Sequence, residues 1–273
     1  MTNKQALDWA MSLLEANNIS TARLDSLVLL EDNTGLDRAQ ILTYPDKEIT
    51  PSNLTEFKKQ IRQRTKHYPL AYIRGKTEFY ARDFIVNHHV LEPRPESEAI
   101  IEEATSIIKQ YSEIISVIDV GTGSGALIIN LKLENPTINA YATDNSKSSI
   151  KVALKNAKLH ETNINFFEGN LINPIPKQTW NSKAVIVANL PYVPQDWYIN
   201  PPAMREPKRA IYGGKDGLTV YRRFFIQIRE LDRKPSWILT ESMPPQHKKL
   251  TALARSAGYG LVKTNDFIQI FKA

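Results

Sequence analysis

From Ser116 to the C-terminus, short apolar runs rich in Val and Ile alternate with longer segments of helical periodicity. Such apolar runs predict strands that are buried on both faces, and the segments between them predict helices. Repeated β–α alternation in turn predicts a mostly parallel, Rossmann-like α/β sheet with helices on both faces. An antiparallel hairpin is expected at one edge. The predicted strands are 116–120, 138–143, 164–169, 184–189 and 236–242, followed by the closing pair 261–264 and 267–273.

The N-terminal part of the chain has a different pattern. Apolar residues at intervals of three and four predict helices over much of residues 4–66. Aromatic and branched residues over 72–91, with Gly75 between them, predict β structure, and a helix is expected from about residue 98 to 111. The length of 273 residues suits one ordinary domain with a smaller one beside it.

A glycine-rich turn follows the first predicted strand of the α/β region. Gly121-Thr122-Gly123-Ser124-Gly125 permits a tight turn and close approach of a ligand to the backbone. Asp144 ends the next strand, where a carboxylate can accept from ribose hydroxyls. The spacing also fits the dinucleotide motif of dehydrogenases, with Ala126 as its last residue. Asp119 before the turn favours a methyltransferase, because a carboxylate suits a cationic sulfonium better than a pyrophosphate.

Asn189-Leu190-Pro191-Tyr192 follows the apolar strand 184–188. Ligands of open α/β sheets bind at the carboxyl ends of the strands, so we expect these residues to lie beside the glycine turn. The Asn189 side-chain oxygen and the Leu190 carbonyl can each accept one N–H of a planar NH₂ group, and Tyr192 can stack against it. Catalysis by positioning is therefore predicted, with methyl transfer to an amide or amino nitrogen.

Four segments carry a resemblance to a known family: GKTEFYARDFIVNHHVLEPRPESE (75–98), DVGTGSGA (119–126), NLPY (189–192) and REPKRAIYGGKDGLTVYRR (205–223). They resemble the PrmC/HemK family, the release factor N5-glutamine methyltransferases. Leu190 departs from that family's N-P-P-Y motif, and N-L-P-Y also resembles the tetrapeptide of ribosomal RNA adenine-N6 dimethyltransferases.

The resemblance implies a cytoplasmic enzyme of protein methylation that serves translation termination. It implies a seven-stranded class I methyltransferase domain (93–273), a β-hairpin linker (71–92) and an N-terminal helical domain (1–70) that recognises the substrate. S-adenosyl-L-methionine is the implied cofactor, and the glutamine of the Gly-Gly-Gln loop in class I release factors is the implied acceptor. The implied cofactor-binding residues are Gly121, Thr122, Gly123, Ser124, Gly125, Asp144, Asn170, Leu171 and Asn189. The implied catalytic residues are Asn189 and Tyr192, and the substrate-binding residues are Asn189, Leu190, Pro191 and Tyr192.

The sequence also limits other classes of function. It contains no cysteine, and its five histidines show no metal-ligand spacing, so we expect neither disulfides nor a metal site. No apolar run is long enough for a membrane span, no targeting segment is expected, and we expect a monomer. A basic stretch over 205–234 is compatible with nucleic acid as an additional partner that the reaction does not require. Two alternatives stay open at this point: a ribosomal RNA adenine-N6 methyltransferase, and a non-catalytic module that binds a translation factor.

Overall fold

The structure, a computed structural model, describes residues 1–181 and 183–273. The chain divides into two compact units. The helical unit contains Met1–Lys76 together with Asn200–Arg205, and the α/β unit contains Thr77–Ile199 together with Glu206–Ala273. Within the described residues, no helix combines the length and the apolar character that crossing a lipid bilayer requires.

The helical unit begins with α1 (Asn3–Glu15), α2 (Ala22–Thr34), α3 (Arg38–Thr43) and α4 (Pro51–Arg64). Side-chain oxygens of Thr2, Asp37 and Thr50 accept backbone hydrogen bonds at three of the helix starts. The prediction of helices over 4–66 is thus confirmed. The helices enclose a core of their own, which includes Ala6, Ala10, Leu14, Leu29, Leu30, Phe57 and Ile61.

Residues 70–74 form a further short helix, α5 (Leu70–Arg74), so the prediction of β structure from Tyr72 onward is wrong at its start. Pro69 precedes the first turn, and Gly75 ends the helix in the left-handed conformation with φ of +75°. The helix buries Ala71 and Tyr72. Burial of that face outweighs the strand preference of the aromatic side chain.

A small hairpin and a helix precede the large sheet. Strands β1 (Lys76–Phe79) and β2 (Arg82–Ile85) pair in a two-stranded sheet. Tyr80 and Ala81 connect them with φ of +52° and +54°, and the Glu98 carboxylate accepts a 2.7 Å hydrogen bond from the Tyr80 N–H. Glu98 begins α6 (Glu98–Gln110), which therefore fixes the turn of the hairpin.

Seven strands form the sheet of the α/β unit, in the order β5-β4-β3-β6-β7-β9-β8. All pairs are parallel except β7 with β9 and β8 with β9. The predicted parallel sheet with an antiparallel closing hairpin is confirmed. The strands are β3 (Ser116–Val120), β4 (Asn139–Asp144), β5 (Asn165–Glu168), β6 (Ala184–Ala188), β7 (Trp237–Glu241), β8 (Gly260–Asn265) and β9 (Ile268–Lys272).

Helices cover both faces of this sheet. One core contains residues of α6, α7 (Ala126–Glu134) and α8 (Lys147–Leu159), with Val117 and Val185 from the strands. The other contains residues of α10 (Thr219–Arg229) and α11 (His247–Ser256), with Ile118 and Ile186. Alternate strand residues thus enter opposite cores, which accounts for the continuous apolar runs in the sequence. The remaining helix, α9 (Lys208–Ile211), lies in the long segment between β6 and α10.

The strand order reverses next to β3. The chain passes from β3 to β4 and β5 on one side, and then returns to β6 and β7 on the other. The carboxyl ends of the neighbouring strands β3 and β6 therefore border the crevice where open α/β sheets bind ligands. Gly121 follows β3 and Asn189 follows β6, so the fold brings both sequence motifs to this crevice.

Candidate active site

The glycine turn has a backbone that only glycine adopts without strain at several positions. Gly121, Gly123 and Gly125 have φ of +81°, +55° and +83°. Gly125 also caps α7, where an added Cβ would lie 3.1 Å from Ile129 and 3.2 Å from Ala153. Its absence of a side chain thus lets α7 and α8 approach each other. The turn is preformed by this geometry.

Four of the five N–H groups of the turn donate hydrogen bonds inside the protein. Gly121 and Thr122 donate to the Thr143 carbonyl, and Gly125 donates to Thr122. Gly123 donates to Asp144 Oδ2 at 3.0 Å. A pyrophosphate site needs free N–H groups, so this turn suits a ligand held by shape and by Asp144 better than it suits a dinucleotide.

Asp144 stands at the end of β4, as expected. Its Oδ1 accepts from the Ser146 N–H at 2.8 Å, while its Oδ2 accepts from Gly123. Burial raises the pKa of Asp144, and these two N–H groups oppose the shift. The carboxylate is held in one orientation and keeps lone pairs for ribose hydroxyls.

Asp119 lies beneath the turn and is 1% exposed. The Thr122 hydroxyl donates to its Oδ2 at 2.6 Å. Burial raises the pKa of Asp119 to about 7, against the hydrogen bond from Thr122, and the neighbouring Asp144 adds to the rise. This side chain therefore titrates near neutral pH.

Most of the predicted site residues line one cavity of about 350 Å³ at this edge of the sheet. Gly125 and Tyr192 do not line it: Gly125 is used in helix packing, and the Tyr192 hydroxyl donates to Glu241 Oε1 at 2.9 Å. The predicted residues that line the cavity are Gly121, Thr122, Gly123, Ser124, Asp144, Asn170, Leu171, Asn189, Leu190 and Pro191.

Asn189 is oriented by two partners. Its Nδ2 donates to Ser97 Oγ at 2.8 Å and to Glu241 Oε2 at 2.9 Å. Both amide hydrogens are therefore used within the protein, and Oδ1 is the polar atom of this side chain that can meet a ligand. That is the acceptor which the sequence analysis requires of Asn189.

Leu190 is 3% exposed and packs directly against the glycine turn. A Cβ added to Gly121 would lie 3.0 Å from Leu190 Cδ2. The Leu190 N–H also lies 3.3 Å from the buried Tyr221 hydroxyl, on α10. Packing and this hydrogen bond hold Leu190 where the family has a proline.

The segment Gly213-Gly214-Lys215-Asp216-Gly217 supports the residues that follow Leu190. A Cβ on Gly213 would lie 2.4 Å from the Pro191 carbonyl oxygen, and one on Gly217 would lie 2.0 Å from the Tyr192 carbonyl oxygen. Gln246 Nε2 donates to the same Tyr192 oxygen at 2.7 Å and to the Asp216 oxygen at 3.0 Å. These glycines are thus required for close backbone contact.

Three residues at this site were not predicted from the sequence. Ser97 and Glu241 bind Asn189, and Arg94 lines the cavity while donating to the buried Glu206 at 2.5 Å. Burial raises the pKa of Glu206 to about 7, and Arg94 opposes the rise. A signal for Glu241 was available, since it ends a parallel strand at the ligand-binding edge.

Comparisons with known proteins identify the family. A family model for the PrmC N-terminal domain matches residues 5–75, and one for a methyltransferase domain matches residues 112–257. The release factor glutamine methyltransferase of Bacillus anthracis is 36% identical over 261 residues, which cover 93% of this chain and 90% of the relative. That of Bacillus subtilis (strain 168) is 37% identical, covering 82% and 79%. The chain belongs to the release factor glutamine methyltransferase family.

Family membership confirms several predictions made from the sequence. The class I methyltransferase fold, the N-terminal helical region and an S-adenosylmethionine-dependent methyltransferase activity all follow. Among solved structures, the hMettl16 catalytic domain in complex with a MAT2A 3′UTR hairpin aligns with a TM-score of 0.53 at 12% identity, over 81% of each chain. This likeness supports the methyltransferase fold alone.

The cavity fits the family's cofactor. Gly121 and Gly123 line the cavity without side chains, and the Asp144 carboxylate is fixed beside them. Asn170 and Leu171 line the same cavity, with Leu171 held at φ of +53°. We propose that Gly121–Ser124, Asp144, Asn170 and Leu171 would hold S-adenosylmethionine, with Asp144 accepting from the ribose hydroxyls.

Proposed function

We propose that this chain methylates the side-chain amide nitrogen (N5) of the glutamine in the Gly-Gly-Gln loop of class I peptide chain release factors. Its relatives of 32–37% identity are named release factor glutamine methyltransferases. The observation that carries the proposal is the orientation of Asn189, whose N–H groups are both taken by Ser97 and Glu241 in a cavity shared with the glycine turn.

An amide nitrogen is a weak nucleophile because its lone pair is delocalised into the carbonyl. Asn189 Oδ1 accepts one N–H of the substrate amide, and the Leu190 carbonyl accepts the other. These oxygens stabilise the positive charge that develops on the N–H groups as the nitrogen attacks. One of the two hydrogens then leaves as a proton, which passes to solvent water. S-adenosylmethionine supplies an electrophilic methyl group on a sulfonium centre.

Tyr192 does not line the cavity, so in this proposal it supports the substrate site through its hydrogen bond to Glu241 and does not act as a base. Burial raises the pKa of Tyr192 well above its ordinary value, and the Glu241 carboxylate adds to the rise. The hydroxyl therefore keeps its proton and donates it to Glu241. Rate acceleration comes from holding the amide in line with the methyl group, as the sequence analysis predicts.

A transfer assay with labelled methyl donor tests the proposal. We expect label on purified class I release factor, and no label when the glutamine of its Gly-Gly-Gln loop is replaced by alanine. Ribosomal RNA in the same assay tests the alternative substrate. Label on RNA alone would reject the proposal, and label on neither would favour a non-catalytic module.

Further properties are part of this proposal. The helical unit recognises the release factor, and the functional division into a recognition domain (1–70), a linker (71–92) and a catalytic domain (93–273) stays a prediction. We also propose that the protein acts as a monomer in the cytoplasm, where translation termination takes place. Nucleic acid is not required for transfer to the free release factor.

A further inference from the structure

Glu241 collects three hydrogen bonds from residues that are far apart in the sequence. Its Oε2 accepts from the Ser97 hydroxyl at 2.6 Å and from Asn189 Nδ2 at 2.9 Å, and its Oε1 accepts from the Tyr192 hydroxyl at 2.9 Å. The side chain is 1% exposed at the end of β7. Among the described residues, this carboxylate has no ion-pair partner, unlike the buried Asp25 and Glu206. Because burial of a charge is costly, its three hydrogen bonds point to a functional role.

Ser97 and Glu241 allow a single favourable orientation of the Asn189 amide. The one hydrogen of the Ser97 hydroxyl points to Glu241, so Ser97 Oγ can only accept from Asn189. Glu241 Oε2 is likewise an acceptor. If the amide rotated by half a turn, its oxygen would face two acceptors, and all of these hydrogen bonds to Asn189 would be lost.

We propose that Glu241 is a positioning residue, which fixes the Asn189 amide with its oxygen toward the substrate and holds Tyr192 by its hydroxyl. This inference rests on the proposed function, because the substrate amide is the group that Asn189 Oδ1 then receives. Ser97 completes the arrangement by accepting from Asn189 while donating to Glu241. The Tyr221 hydroxyl fixes the backbone of Glu241 through a 2.6 Å hydrogen bond to its carbonyl.

The arrangement needs the ionised carboxylate, since a protonated Glu241 would present a hydrogen where it now accepts. Burial raises the pKa of Glu241, Glu96 adds to the rise, and the donors Ser97, Tyr192 and Asn189 oppose it. The titratable groups that face Glu241 are Glu96, Tyr192 and Tyr221. Transfer should therefore fail as pH falls through a pKa higher than that of an ordinary glutamic acid.

The first test compares Glu241→Gln and Glu241→Ala with wild type in single-turnover transfer at saturating cofactor. A glutamine still accepts two hydrogen bonds, so we expect a loss of about tenfold in Glu241→Gln and of about 100-fold or more in Glu241→Ala. The acid-side fall of rate should be absent from the Glu241→Gln profile. Affinity for S-adenosylhomocysteine, measured by calorimetry, should stay within about threefold in both variants.

Thr240→Val is the matched control. Thr240 is the neighbouring buried residue on β7, and its hydroxyl has no hydrogen-bond partner among the described residues. Valine has nearly the same shape, so we expect wild-type transfer and an unchanged pH profile. A purely structural role of Glu241 would instead lower cofactor affinity together with rate, and would leave the acid-side pKa of the remaining activity unchanged. Either that pattern or wild-type transfer by Glu241→Ala overturns the inference.

A second test needs no substrate and separates this inference from the proposed function. The ¹⁵N signal of the Asn189 side-chain amide is assigned by its absence from Asn189→Ala, and its hydrogen exchange with solvent is measured. We expect slow exchange in wild type and in Thr240→Val, and exchange at least about tenfold faster in Glu241→Ala. Equal exchange in all three proteins would reject the positioning role. If wild type labels no release factor while this protection is present, the proposed function fails and the positioning of Asn189 stands.

Discussion

At the scale of single residues, the proposed transfer depends on the Asn189 amide oxygen. Its two hydrogens are donated to Ser97 and Glu241, so the oxygen is the polar atom of this side chain that is left to bind a ligand. We predict that Asn189→Ala lowers single-turnover transfer by about 100-fold or more, because a contact that strengthens in the transition state is lost. Calorimetry should show nearly unchanged affinity for S-adenosylhomocysteine. Ordinary turnover in this variant would contradict the amide-binding role.

Asp144→Ala is the matched comparison for Asn189→Ala. Asp144 is assigned to the ribose, and its carboxylate also receives the N–H of Gly123 in the turn. This change should chiefly weaken cofactor affinity, and transfer should largely recover at saturating cofactor. If the two variants showed the same pattern of affinity and rate, the division of the cavity between cofactor and substrate would be wrong.

Asp119 makes stability depend on pH. Burial raises its pKa from 3.8 to about 7, so the folded protein binds this proton more tightly than the unfolded chain does. The resulting stabilisation is complete below pH 3.8 and is lost as pH rises toward 7. Between pH 4 and 8, we predict that the free energy of unfolding of wild type falls by roughly 4 kcal/mol relative to Asp119→Asn. Urea denaturation across this range measures the difference, and a constant difference would show an ordinary pKa.

At the scale of elements, the backbone of the segment 213–217 lies against the backbone of Pro191 and Tyr192. Gly213 does not have a positive φ, so space is the obstacle to a side chain there. An added Cβ would lie 2.1 Å from the Gly217 carbonyl oxygen and 2.4 Å from that of Pro191. We predict that Gly213→Ala displaces Pro191, lowers single-turnover transfer by at least about tenfold and destabilises the fold by about 1–3 kcal/mol. Affinity for S-adenosylhomocysteine should change little.

Gly260→Ala is the control for this loop. Gly260 begins β8, its φ is not positive, and the nearest atom to an added Cβ lies 3.9 Å away. Alanine is therefore accommodated without displacement of any neighbour, and we expect wild-type transfer and stability. Equal activity of Gly213→Ala and Gly260→Ala would show that the segment 213–217 does not support the backbone of Pro191 and Tyr192.

The strands show how far local pattern determines this fold. Strand β3 was predicted over 116–120 and lies there, because β-branched residues buried on both faces give a continuous apolar run. The meeting of the glycine turn with Asn189 followed from strand order alone. The short helix α5 did not follow, since its burial depends on contacts made by the folded chain.

The residues that orient Asn189 could not be predicted from local sequence pattern either. Ser97 lies 144 residues before Glu241, and Asn189 lies 92 residues after Ser97. No periodicity links residues at such separations, and their meeting is set by how β6, β7 and the turn before α6 pack. Local sequence thus predicted Asn189, the proposed substrate contact, but it did not predict Ser97 and Glu241, which orient its amide.

At the scale of the whole molecule, several residues of the basic stretch over 205–234 make contacts within the chain. Arg222 pairs with Asp216, Lys234 donates to the Ala257 carbonyl, and Arg209 donates to Ser146. Arg223 lines the cavity. Charge that is engaged in this way contributes less to a nucleic-acid surface than the sequence suggests. The net charge of +6 does not by itself decide between RNA and protein as the substrate.

The two units enclose separate cores, so the role of the helical unit can be tested by loosening it alone. Phe57 is fully buried there, with its ring 6.2 Å from that of Trp9. We predict that Phe57→Ala destabilises this unit by about 3–5 kcal/mol and lowers kcat/KM for the release factor. Cofactor affinity, and transfer to a short Gly-Gly-Gln peptide, should stay unchanged. Phe224→Ala removes an equally buried ring from the α/β unit, so it should weaken cofactor binding and transfer to both substrates. Equal loss of release factor and peptide methylation in Phe57→Ala would remove the basis for assigning recognition to the helical unit.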